Sequence, residues 1–214
     1  MNPDNPDTVA VLDFETTGMS PAMGARATEI AVVLVRGGRV VDRYASLMNS
    51  GAWVPPFIEQ LTGISNRMLA SAPPAGQVMR EVAEFTRGCA LVAHNASFDR
   101  GFWLHEMALA EAATTATTAS SPSFGCTLLL SRRLYPEAAN HKLGTLARFH
   151  GITPTGRAHR ALADAEMTAD LWLRIVRDVQ DRYAATVSFG LLCALQRTPR
   201  QQLSRQVARY FAAD

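Results

Sequence analysis

Hydrophobic and polar positions change period several times along this chain. Val9 to Asp13 is a short apolar run that closes on polar residues, as a buried strand does. Ala27 to Val35 and Val40 to Met48 are rich in β-branched residues and are separated by Gly37-Gly38, which predicts two strands joined by a hairpin turn. Pro55-Pro56 opens a stretch of short helical turns reaching Leu69, and 75–87 carries Val78, Val82 and Phe85 at helical spacing. Ala90 to Ala93 reads as a strand buried on both faces. The next helix spans 98–111, where Phe98, Phe102, Trp103 and Met107 fall on a core-facing stripe. Phe124 to Cys126 predicts a last short strand, followed by helices at 127–134 and 143–150. A long amphipathic helix then runs from about Arg160 to Tyr183, and two more helices within 187–212 are split at Pro199. Three strands linked by short turns, then strands alternating with helices, predict an α/β domain. Its mixed sheet has three antiparallel strands followed by parallel ones, flanked by helices.

Residues 112–123 are almost wholly alanine, threonine and serine, which predicts a surface loop inside the domain and not a boundary. The chain has 214 residues, of which 48% are apolar and 19% charged, a balance that supports one buried core and excludes disorder. Ile30 to Val35 is far shorter than the roughly 20 apolar residues a bilayer requires. The acidic, proline-broken stretch Met1 to Asp7 lacks the basic and apolar regions of a signal peptide. Cys89, Cys126 and Cys193 are odd in number and widely spaced, so neither a disulfide framework nor a thiolate zinc site is expected. These features predict a cytoplasmic protein with no membrane partner. Net charge is only +2, too small to argue for nucleic acid, although Lys142 is the sole lysine among 21 basic residues. Arginine's planar fork suits phosphate; an arginine bias also follows from GC-rich coding.

Three segments carry candidate chemistry. In Asp13-Phe14-Glu15-Thr16-Thr17-Gly18, strand alternation puts Asp13 and Glu15 on one face and Phe14 on the other. Two like charges so placed repel unless a proton or cation lies between them. In His94-Asn95-Ala96-Ser97-Phe98-Asp99, the last residue falls near a helix N-terminus, which favours an ionised acid, and Ser97 is a candidate cap. In His159-Arg160-Ala161-Leu162-Ala163-Asp164, residues five apart lie about 140° apart on a helix. His159 and Asp164 therefore share a site only if His159 stands in the loop after Gly156-Arg157-Ala158. Each segment alone has an ordinary structural explanation. Together, Asp13, Glu15, Asp99 and Asp164 with His159 make a set poor for structure and good for binding two divalent ions, Mg²⁺ or Mn²⁺.

In order and spacing the three segments resemble the exonuclease motifs of the DEDDh 3′–5′ exonuclease family, which includes the epsilon proofreading subunit of bacterial DNA polymerase III, ribonuclease T and oligoribonuclease. Leu61-Thr62-Gly63-Ile64 and Cys126 to Pro136 add to the likeness, which spans roughly 8–180. The resemblance implies a ribonuclease-H-like exonuclease domain at 8–183, with 184–214 as a helical extension packed on or beside it. It implies metal-dependent hydrolysis at the 3′ end of single-stranded or frayed DNA, with RNA as the second choice of polymer. By likeness, Asp13, Glu15, Asp99 and Asp164 hold the metals and His159 is the general base. Thr16 would contact the terminal nucleotide, Ile64 would wedge beside the last base, and Asn95 and Phe98 would support the substrate site. Cys126 departs from the family, where many relatives have aspartate. Nothing after 187 resembles the polymerase-binding tail of epsilon, so a polymerase partner has no support from that segment.

Overall fold

The computed structural model describes residues 8–112, 123–184 and 186–212. Its five strands are β1 (Thr8–Thr16), β2 (Ala27–Arg36), β3 (Arg39–Leu47), β4 (Ala90–Ala93) and β5 (Phe124–Cys126). They form one sheet in the order β3-β2-β1-β4-β5. The first three are antiparallel neighbours, while β4 and β5 join in parallel, as the element order in the sequence predicts. The helices are α1 (Pro56–Thr62), α2 (Asn66–Ala70), α3 (Ala75–Phe85), α4 (Ala96–Ala112), α5 (Thr127–Leu134), α6 (Leu143–His150), α7 (Ala161–Tyr183), α8 (Phe189–Leu195) and α9 (Leu203–Phe211). The alanine–threonine run expected as a loop lies, from 113 to 122, outside the described residues. Among the described residues no helix is long and apolar enough to cross a membrane.

Strand alternation divides the core in two. Val11 on β1, Ala31, Val33 and Val35 on β2, and Ala90 and Val92 on β4 face α7, where Leu171, Trp172, Ile175 and Val179 are buried against them. Ala10, Leu12 and Phe14, with Ile30, Val32 and Leu91, face the other way onto Val78, Met79 and Val82 of α3 and Phe102 and Trp103 of α4. The residues beyond 183 belong to the first layer: Phe189, Leu191, Leu192, Leu195, Leu203 and Val207 are buried in it. They also cover the sheet's free edge. Gln196 accepts from the Cys126 N–H at 2.7 Å and donates to the Phe124 carbonyl at 3.0 Å, satisfying β5 on the side where no further strand pairs among the described residues. Gly125 fits here because a Cβ would meet Val92 at 3.0 Å, Phe189 at 3.1 Å and Trp172 at 3.2 Å.

Two boundaries differ from expectation, and both shape the site. β1 continues through Thr16, so Asp13 and Glu15 lie within the strand and keep its alternation. β4 pairs with β1 only from Val9 to Val11, which leaves the far end of β1 without a neighbour on that side. Helix α4 begins at Ala96, so Ser97 lies inside the helix and does not cap it, while Asp99 stays in the first turn.

Candidate active site

Odd-numbered positions on β1 run from Val11 to Asp13 and Glu15, so the face that is apolar under α7 turns acidic where the strand outlasts its partner. The gap left by β4 is filled by Asp99: its Oδ1 accepts the backbone N–H of Phe14 at 3.3 Å, in place of the missing ladder bond. Phe14 and Phe98 both pack against Phe102 on the opposite face, with ring centroids 6.4 and 4.9 Å away, which anchors strand and helix to each other. Asn95, at the turn from β4 into α4, has φ of 64° and an exposed side chain, a conformation that asparagine tolerates.

The third segment closes the cluster. His159 stands in the loop before α7 with φ of 60°, and its N–H donates to Asp164 Oδ2 at 3.0 Å. That bond turns the residue back over the first helical turn, which a helical His159 would not reach. A carboxylate oxygen of Glu15, one of Asp164 and a ring nitrogen of His159 lie within 4.8 Å of one another. Arg157, in the same loop, donates to the carbonyls of Gln60 and Leu61 at 3.4 and 3.5 Å and so ties the His159 loop to the C-terminus of α1.

The electrostatics follow from this crowding. Burial first, then Asp99, Asp164, Glu15 and Glu29, push Asp13 well above the carboxylate range. Glu15 is pushed up to about 8 by burial first and then by Asp164 and Glu29, with Arg160 pulling the other way. Asp99 is raised by burial against the opposing pull of the Phe14 N–H, and Asp164 by burial against the N–H of His159. An all-oxygen donor set that cannot ionise together without a cation is what hard divalent ions require. The residues present therefore fit such ions.

The sequence expectations for the substrate residues divide. Thr16 is buried beside the acids and donates to the Gly18 carbonyl at 2.7 Å, shaping the turn after β1. Ile64, expected beside the last base, has no exposed surface and packs with Val54 and Leu69 in a small separate core. The apolar side chains open to solvent in that region are Leu61, Phe57 and Trp53. Gly63, with φ of 76°, ends α1 and turns the chain there, leaving Leu61 exposed before the turn and Ile64 buried after it.

Two positioning residues, Glu29 and Arg160, have no role in the motif reading. Glu29 sits opposite Glu15 in the β1–β2 register, almost fully buried. It accepts from Arg160 Nη2 at 2.8 Å and Nε at 3.2 Å and from the Ala161 N–H at 3.1 Å. The pair fastens the head of α7, and with it Asp164, to the sheet. It also brings a cation, Arg160, close enough to Glu15 to pull its carboxyl downward. The signal was present in the sequence: Glu29 is the one acid in the apolar strand Ala27 to Val35.

Comparison with known proteins agrees with this geometry. A family model described as exonuclease matches residues 10–172. The PolC-type DNA polymerase III of Bacillus subtilis (strain 168) is 39% identical over 177 residues, covering 82% of this chain and 12% of that protein. The 3′–5′ exonuclease DinG of the same organism is 34% identical over 180 residues, covering 82% of this chain and 18% of its own length. The chain thus spans less than a fifth of these relatives. Among solved structures, exonuclease X in complex with 5′ overhanging duplex DNA matches 86% of this chain and 99% of that one, with a TM-score of 0.63 and 25% identity. The nuclease domain of 3′hExo, a DEDDh family member bound to rAMP, shares the fold with a TM-score of 0.65 and 20% identity, over 81% of this chain and 93% of that one.

Proposed function

This chain belongs to the DEDDh 3′–5′ exonuclease family, and on that premise we propose that it trims the 3′ end of single-stranded or frayed DNA, releasing nucleoside 5′-monophosphates with the help of two divalent cations. The observation that carries the reading is the clustering of Asp13, Glu15, Asp99 and Asp164, with the exposed His159 beside Glu15 and Asp164. DNA is favoured because the relatives include a DNA polymerase, and exonuclease X was solved on overhanging duplex DNA. RNA is the second reading, favoured by the rAMP bound to the 3′hExo nuclease domain.

Asp13, Glu15, Asp99 and Asp164 would hold the ions. Bound there, divalent cations supply a nucleophile at neutral pH and relieve charge on the leaving oxygen. The protein's own part is to hold and move protons and to fix the strand. His159 is exposed, so its ring reaches an incoming water and takes its proton, while its N–H bond to Asp164 fixes the backbone that carries the ring. The bond from Phe14 N–H holds Asp99 against β1, beside Asp13. The turn that Thr16 braces offers the backbone at the end of β1 to the terminal sugar. Leu61, exposed at the end of α1, takes over the wedge expected of Ile64.

A 5′-labelled single strand, a matched RNA, the same DNA with a 3′-phosphate, and a closed circle separate the outcomes when each is incubated with Mg²⁺, Mn²⁺ or EDTA. The expected result is a one-nucleotide ladder from the first, dependent on metal, and silence from the blocked strand and the circle. Cleavage of the circle makes the protein an endonuclease and overturns the reading; faster loss of the RNA transfers it to RNA.

A further inference from the structure

Outside the acid cluster, the described surface holds an open cavity of about 630 Å³ lined by His94, Asn95, Arg132, Asn140, His141 and Lys142, with no carboxylate among its lining residues. Arg132, on the last turn of α5, and Lys142, immediately before α6, have exposed side chains with no ion pair or side-chain hydrogen bond among the described residues. The first N–H groups of α6 meet the same space and have no side-chain cap. Both cations and a helix N-terminus therefore present positive charge to one place.

The inner wall is rigid. One ring nitrogen of His94 lies 3.0 Å from the His141 carbonyl and donates to it, and the other lies 2.9 Å from Thr127 Oγ1. The ring is thereby fixed in place, and burial with the nearby Arg132 brings its pKa down to about 4. His141 in turn lies 3.0 Å from the Tyr135 carbonyl, and Asn140 accepts the Lys142 N–H at 3.0 Å, so the loop before α6 is braced from both sides. Position settles what such a pocket faces. Asn95 is common to its wall and to the turn into α4, four residues before Asp99.

We propose that this basic pocket binds a backbone phosphate of the substrate strand, on the 5′ side of the bond being cut. The inference rests on the exonuclease reading above and deepens it. A shallow cavity rimmed by exposed arginine, lysine and asparagine suits a polymer phosphate passing over it better than an enclosed metabolite. Phosphate contacts of this kind fix register without reading sequence. The pocket would hold the strand while the terminal nucleotide is removed.

The test compares wild type with the Arg132→Gln/Lys142→Gln double variant and the charge-preserving Arg132→Lys/Lys142→Arg variant. Binding of a 5′-fluorescein 12-nucleotide DNA is followed by anisotropy with Ca²⁺ in place of Mg²⁺, across a range of salt. Turnover is followed separately, with Mg²⁺, on the p-nitrophenyl ester of thymidine 5′-monophosphate, which has no phosphate on the 5′ side. The expected result is about tenfold weaker strand binding in the double variant and a salt slope shallower by about 0.7 for the one phosphate lost. Ester turnover stays unchanged, and the charge-preserving variant restores binding. Unchanged strand affinity and salt slope overturn the proposal. So does a parallel loss of ester turnover, which would place these residues at the reaction centre. Inorganic phosphate binding that is lost in the double variant while strand affinity holds would make the pocket a free-anion site and also overturn it. If wild type cuts neither substrate yet loses strand binding in the double variant, the pocket stands and the exonuclease reading fails.

Discussion

Removing the charge of Glu15 should stabilise the metal-free protein, and the gain should grow with pH. Its carboxyl is almost fully buried and pushed from an ordinary 4.5 up to about 8. Between those two values the folded state holds a proton that the unfolded chain has lost. Stability therefore falls as pH rises, by up to about 1.4 kcal/mol per pH unit. Below about pH 4.5 the effect is absent, and by pH 8 it amounts to on the order of 4 kcal/mol, with Asp13 and Asp99 raised in the same direction. Glu15→Gln keeps the shape and removes this contribution. Urea unfolding in EDTA at pH 5, 6, 7 and 8, followed by tryptophan fluorescence, measures it directly. Wild type should lose stability steadily across the series, and the variant should lose clearly less. Mg²⁺ should restore wild type, by about 2.7 kcal/mol at a hundredfold excess over its dissociation constant, and restore the variant much less. A wild-type curve flat with pH, or a variant with the wild-type slope, refutes the reasoning.

His159→Ala should lower turnover roughly 10²–10⁴-fold while strand affinity persists; affinity lost in step with rate would make the residue a positioning group. Asp13→Ala should cost on the order of a thousandfold or more in turnover with the fold intact by circular dichroism, since Asp13 feels all three other acids of the cluster. Glu29→Gln should cost only about 1 kcal/mol of stability, because Arg160 is 41% exposed and relief of repulsion with Glu15 offsets part of the loss. Its turnover should nevertheless fall about tenfold at nearly constant KM, as the head of α7 loosens; an unchanged rate would make the pair purely structural. Gly125→Ala should destabilise by roughly 1–3 kcal/mol with little effect on KM, since the new methyl meets three side chains of the α7-side core at 3.0 to 3.2 Å and none of the acids.

The order of elements, the mixed sheet and the placement of Asp13 and Glu15 on one face are local consequences of the sequence. They depend on strand alternation, helical spacing and turn residues such as Gly37-Gly38, each legible within a few positions. The loop position of His159 was legible as well, because no helix brings residues five apart onto one face. Tertiary structure alone decided the rest. Arg160 and Glu29 are 131 residues apart, and only the β1–β2 register and the packing of α7 on the sheet bring them together. Ile64 and Leu61 are both apolar and three residues apart. Which one faces solvent depends on the turn at Gly63 and the small core that Val54 and Leu69 complete. The basic pocket joins the turn after β4, the last turn of α5 and the loop before α6. Hydrophobic periodicity reports which face of an element is buried. It does not report which distant segment lies across from it, and that is where charges find their partners or remain without one.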